Sequence, residues 1–181
     1  MRTVVLRVAG LALLLLLALV AALTVRTLTR LPDVTLYLIR SEPTSFTLEP
    51  VYRRLRPQPA TAGGHPSEAA VRVAIEALAA GPDADEQRRG LGSEVPTGTE
   101  VRAIRLDDGV LTLDLSADFE SGGGTASMLG RLHQVHYTAA RPGAVEAVRL
   151  LVEGEPLSAL GGEGIMVEQP WLPPEQGLPR W

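Results

Sequence analysis

The chain contains neither cysteine nor lysine among its 181 residues. Lacking cysteine, it has no disulfide framework, no thiolate metal site, no cysteine nucleophile and no acceptor for a lipid after a signal segment. All 17 basic residues are arginine, and four of them, Arg2, Arg7, Arg26 and Arg30, flank one hydrophobic segment. Beyond residue 30 there are 13 arginines against 21 acids, a formal charge of −8. That sign argues against nucleic acid as a partner, because phosphate backbones need clustered cations.

Charge is absent altogether from Val8 to Val25, a run of 18 residues. At the helical rise this run reaches roughly 27 Å, close to the thickness of a bilayer core. Residues 1–30 therefore read as a signal anchor or transmembrane segment. Val20-Ala21-Ala22 offers small residues for cleavage, and a cut there makes the protein secreted. An inward N-terminus places the rest of the chain, residues 31–168 and a Pro/Trp-rich tail at 169–181, on the extracytoplasmic side.

The exported part alternates strand and helix signals. Val34 to Arg40 reads as a strand with buried faces. Thr47 to Leu55 reads as a second, with Pro50 making it an edge strand or a bulge. Pro57 to Pro66 is a connector. The first helix begins at a Ser67 cap, has Glu68 at the positive end of its dipole, and repeats Val71, Ala74, Ile75 and Leu78 at helical spacing. Gly81-Pro82 stops it, and Asp83 to Arg89 is a polar turn. Glu100 to Leu106 pairs with Leu111, Leu113 and Leu115 through an Asp108-Gly109 hairpin turn. A glycine break, Gly122-Gly123-Gly124, precedes a second helix from Thr125 to Ala139. That helix has Met128, Leu129, Leu132, Val135 and Ala139 as its apolar face. Val145 to Val152 is a strongly apolar strand, and Leu157 to Val167 is a glycine-broken closing segment. Two helices are too few for an all-parallel sheet of about five strands. The expected fold is α+β: a two-layer sandwich with a mixed, mainly antiparallel sheet and both helices on one face.

No catalytic, cofactor or metal site is assigned. His133 and His136 lie at i, i+3 spacing but lack a third ligand. Asp114, Asp118 and Glu120 cluster after a strand without the features of a hydrolytic pair. No serine sits in a nucleophile elbow. The glycine run at 122–124 lacks the rest of a phosphate loop and reads as a hinge. The candidate interaction residues are Trp171 and Trp181, the only tryptophans, with Gly161, Gly162 and Glu163. Trp171 has the alternative of folding back over the core.

The order of short motifs resembles the GerMN domain of spore germination and sporulation proteins and of assorted bacterial lipoproteins. It starts with Leu48, Pro50-Val51-Tyr52-Arg53, Ala77-Leu78, Gly81-Pro82, Gly90-Leu91 and Val95-Pro96-Thr97-Gly98-Thr99. It continues with Asp108-Gly109-Val110, Asp114-Leu115-Ser116, Phe119, Gln134-Val135, Tyr137-Thr138, Val148, Val152-Glu153-Gly154-Glu155-Pro156 and Leu160-Gly161-Gly162-Glu163-Gly164. The resemblance covers most of residues 34 to 168, in a single copy. It implies a non-enzymatic scaffold or interaction module of the cell envelope, without cofactors, whose partners are the membrane and other envelope proteins. The alternative is a receptor for a small molecule or cell-wall glycan.

Overall fold

A computed structural model describes residues 33–43, 45–55, 66–140, 144–161, 164–172 and 178–181. All of them belong to one compact unit, Asp33–Trp181. The hydrophobic leader and residues 57–65 of the connector lie outside what is described, and because the first helix already begins at Pro66, Ser67 stands inside its first turn instead of preceding it as a cap. Among the described residues no helix is long and apolar enough to cross a membrane.

The first sheet has the order β2-β1-β3. Strand β1 (Asp33–Glu42) pairs along its whole length with β2 (Ser45–Arg54), from Asp33 opposite Arg54 to Glu42 opposite Ser45. Pro50 cannot donate to a further ladder, and β2 is indeed an edge. The short β3 (Leu91–Gly92) meets the other side of β1 at Ile39 and Arg40. Successive side chains of a strand face opposite ways, and β1 is buried on both sides. Leu36 and Leu38 join the main core, whereas Tyr37 and Ile39 join Leu48 and Tyr137 in a second cluster.

The second sheet contains β4 (Val101–Asp107), β5 (Val110–Leu115), β6 (Ala147–Val152) and β7 (Glu155–Pro156). Asp108 at φ 46° and Gly109 at φ 78° turn β4 back onto β5, the double left-handed geometry that a two-residue hairpin demands. Leu111, Leu113 and Leu115 point inward and are fully buried. Strands β5 and β6 are parallel, and the chain between them contains a helix. A third, two-stranded sheet joins β8 (Ala159–Leu160) to β9 (Ile165–Met166). The α+β class and mainly antiparallel pairing match expectation, but the strands divide among three small sheets. Strand β3 is too short to continue the first sheet.

Helix α1 (Pro66–Ala80) buries Val71, Ala74, Ile75 and Leu78, and Gly81 at φ 82° ends it. The polar stretch after it is one turn of helix, α2 (Ala84–Arg88). Asp83 Oδ1 accepts from the Asp85 and Glu86 amides at 2.9 Å, and the Glu86 carboxylate accepts from the Asp83 amide at 2.8 Å. Ala117–Glu120 is a 3₁₀ turn that buries Phe119. Helix α3 (Thr125–Ala139) has the expected bounds and packs, like α1, against β1.

Helix α3 also carries a buried polar stripe. Arg131, Gln134 and Thr138 fall at i, i+3 and i+7, on one face, with at most 2% of each exposed. Arg131 donates to the carbonyls of Glu94 (3.0 Å), Phe119 and Gly122 (3.1 Å). Gln134 accepts from the Glu94 amide at 2.7 Å and donates to the Tyr37 carbonyl at 2.9 Å. Thr138 Oγ1 accepts from the Tyr37 amide at 3.1 Å. Beyond β3, β1 thus finds side chains of a helix where a strand would otherwise pair. Gln134→Leu keeps the volume and leaves two backbone groups unpaired, so urea unfolding should show a loss of roughly 2–4 kcal/mol. Alanine at exposed Glu120 should stay within about 0.5 kcal/mol of the parent.

Candidate functional site

The candidate contact residues of the tail lie against α3. Trp171 forms an antiparallel bridge with Val148 of β6: its amide donates at 2.7 Å and its carbonyl accepts at 2.9 Å. The Gln169 carboxamide does the same for Leu150, donating at 3.0 Å and accepting at 2.9 Å. Together with β7 they line the outer edge of β6. The Trp171 ring then stacks on His136, with centroids 4.7 Å apart and planes 8° from parallel, and meets Tyr137 edge-on at 5.1 Å.

Residues 178–181 run along β2 of the first sheet, and Trp181 packs against the same Tyr37, Ile39, Leu48 and Tyr137 cluster as Trp171. The Phe46 amide donates to the Trp181 carbonyl at 2.7 Å, and the Trp181 amide to the Phe46 carbonyl at 3.3 Å. Arg180 reaches Glu42 at 2.8 Å and Ser45 at 3.1 Å. The Trp181 ring rests against His133 at 4.8 Å and Phe46 at 6.2 Å. Gly130 inside α3 lets Ile39 approach the helix closely beside this ring. A Cβ on Gly130 would stand 2.7 Å from Ile39 Cδ1 and 3.4 Å from Trp181 Cζ2.

Both imidazoles sit in this apolar packing. Burial, with a lesser contribution from His133, pulls His136 down to about 3, and burial also lowers His133. The rings are neutral at physiological pH and serve as flat stacking surfaces. His133 Nδ1, His136 Nε2 and Trp181 Nε1 have no hydrogen-bond partner among the described residues. Each imidazole is capped by a different tryptophan, and no group of three potential metal ligands converges among the described residues.

The other sites considered from sequence take up local duties. Asp114 Oδ1 accepts from the Gly154 amide at 3.0 Å, while Asp118 and Glu120 stand exposed on the 3₁₀ turn. Gly122 and Gly123 adopt φ of 62° and 86°, turning the chain so that the Gly122 carbonyl meets Arg131. Gly161, at φ 83°, packs where a Cβ would fall 2.3 Å from Met128 Sδ. Gly162 and Glu163 lie outside the described residues. A depression of about 460 Å³ opens beside the end of α1, lined among others by Glu76, Thr97, Gly98, Thr99 and Glu100. Thr99 is 5% exposed, and its hydroxyl has no partner among the described residues.

Three residues of this arrangement escape a linear reading. Arg131 adjoins the apolar stripe of α3 and reads there as a polar flank. Gln169 has no local signal, because its partner lies 19 residues away. Gly130 inside a helix was the one available cue to close approach.

A family model for Germane, described as sporulation and spore germination, matches residues 35–158. No curated protein matches the chain. Among solved structures, the tandem GerMN domains of the sporulation protein GerM from Bacillus subtilis are similar at 21% identity and a TM-score of 0.60. That alignment covers 80% of this chain and 45% of the tandem chain, so this chain spans less than half of that protein. The first GerMN domain of GerM alone is similar at 20% identity and a TM-score of 0.58, over 78% of this chain and 97% of that domain. A chain described as a lipoprotein from Clostridium perfringens follows at 18% identity and a TM-score of 0.52, over 78% and 87%. At these identities the likeness is one of fold.

The buried imidazole gives a test of the tail's packing. Between the unfolded value near 6.5 and the folded value of about 3, only the unfolded chain takes up the His136 proton. Stability therefore falls as pH drops through that window, by about 1.4 kcal/mol per pH unit from this group. Above pH 6.5 the group contributes no dependence. His136→Phe keeps a flat ring on Trp171 and removes the titration. Between pH 7 and pH 5 the parent should lose ~2 kcal/mol more than this variant in urea unfolding; equal losses would contradict the burial.

Proposed function

The chain belongs to the Germane family of sporulation and spore-germination domains, and from that premise we propose that it is a non-enzymatic interaction or assembly module of the bacterial cell envelope. The N-terminal hydrophobic segment tethers it to the membrane with the domain on the extracytoplasmic side, and its partners are other envelope proteins.

The observation that carries this reading is the division of labour among side chains. The buried Arg131 and Gln134 and the half-buried Gln169 are consumed in holding backbone, and the two histidines are neutral and stacked. Large apolar side chains meanwhile remain outside: Tyr52 is 73% exposed, Met166 76% and Leu172 67%. In the tail Trp171 turns inward while its neighbour Leu172 turns outward, which leaves a large apolar side chain exposed there. Photocrosslinking amino acids at Tyr52 and Leu172 should capture discrete envelope proteins in cells, whereas one at exposed Glu155 should not. Failure of both sites to capture any protein would remove the support for this reading.

A second reading, a receptor for a small molecule or wall glycan, is favoured by the depression at Thr99 with its unpartnered hydroxyl. Soluble wall fragments that bind there raise the melting temperature in proportion to their occupancy. Thr99→Val should abolish that rise if this second reading holds, and no rise with any fragment would dismiss it.

A further inference from the structure

Residues 178–181 dock in the manner of a bound peptide. They run antiparallel to β2, with Arg180 opposite Thr47 and Trp181 hydrogen-bonded to Phe46. Trp181 fills a slot beside Gly130, between Ile39, His133 and Phe46. Arg180 adds a charge match to Glu42 at 2.8 Å. Pro179 has no amide to donate and cannot extend the ladder. Two backbone bonds, one aromatic anchor and one solvent-exposed ion pair make up the attachment. Main-chain pairing for affinity with one pocket for identity is how sheet edges recognise extended peptides.

The fit at the anchor is incomplete in one respect. Among the described residues the buried Trp181 indole N–H has no acceptor, which costs the resident segment part of what its ring gains on burial. A competing aromatic side chain without that donor, or with its polar tip reaching solvent, would sit in the slot free of this penalty.

We propose that the edge of β2 at Phe46, together with the Gly130 slot, is a strand-addition groove, and that residues 178–181 are its resident, exchangeable occupant. The partner it fits is an extended segment of another protein carrying an arginine followed by a large aromatic residue. The arginine meets Glu42 and Ser45, and the aromatic ring enters the slot. This deepens the interaction-module reading and rests on it.

The test uses the full chain and a fluorescent peptide of sequence Leu-Pro-Arg-Trp, capped at both ends. The Arg180→Ala/Trp181→Ala double variant vacates the groove and should bind this peptide at least tenfold more tightly than the parent chain, in which the resident segment competes. Adding Glu42→Arg to the double variant should weaken binding at least tenfold, and a Leu-Pro-Glu-Ala peptide should not bind. No saturable binding to the double variant, equal binding to parent and double variant, or equal binding of the two peptides would each overturn the groove. Hydrogen exchange on the parent chain covers the case in which the double variant does not fold. The Phe46 amide should open well before the Leu36 amide of β1; protection of Phe46 equal to that of Leu36 would overturn the exchange of the resident segment. Self-association of the double variant with loss of peptide binding would overturn it as well, in favour of a second copy as occupant. Crosslinks at Leu172 do not depend on the groove, so a negative peptide result with positive Leu172 crosslinks dismisses the groove and leaves the interaction reading standing.

Discussion

A guanidinium buried inside a helix organises this domain. Arg131 is 2% exposed, and its donors go to main-chain carbonyls of Glu94, Phe119 and Gly122. These carbonyls belong to three segments with little regular structure of their own: the stretch after β3, the 3₁₀ turn and the glycine break. Burying a cation is costly unless its donors are satisfied, and here the satisfaction comes from loops that need a donor as much as the cation needs acceptors. Burial lowers the guanidinium's proton affinity, partly offset by the nearby Glu94 carboxylate. The Phe119 ring beneath, 5.8 Å from the guanidinium carbon, adds a favourable face for the charge.

The same device recurs on β1 and β6 beyond their short neighbouring strands. Gln134 and Thr138 take both backbone groups of Tyr37 on β1, and the Gln169 carboxamide takes both of Leu150 on β6. A primary amide presents one donor and one acceptor with nearly the spacing of a peptide group, so it can stand in for a residue of a neighbouring strand. On β1 and β6 these side chains take backbone groups that would otherwise be left to water. The tail belongs to this scheme: its backbone bridges both sheets' edges, and its tryptophans cover the imidazoles of α3.

Much of this was legible in the chain. The ends of α3, the Asp108-Gly109 turn, the inward leucines of β5 and the Gly81 stop follow from local chemistry: glycine where φ must be positive, and apolar period matched to the element. Pro50 limited β2 to an edge strand or a bulge, and the structure makes it an edge. What stayed hidden depends on partners distant in sequence. Arg131 reads as solvent-facing until the three loops that need it are placed around it, and Gln169 reads as a linker residue until β6 lies beside it. The direction of the two tryptophans was open for the same reason, because a Pro-rich segment has no period to show which side is buried. The capping turn at Asp83 was short enough for its helix to pass as a turn, although Asp83 and Glu86 have the spacing of a capping box.

The domain is therefore a set of short elements tied together largely by side chains of one helix. If Arg131 is the tie, its geometry matters more than its charge, since a lysine keeps the charge but cannot reach three carbonyls from a rigid fork. The most direct measurement is the unfolding free energy of Arg131→Lys in urea. The account predicts a loss of roughly 2–4 kcal/mol, from carbonyls left without donors. A variant within about 0.5 kcal/mol of the parent, the range typical of surface substitutions, would contradict it.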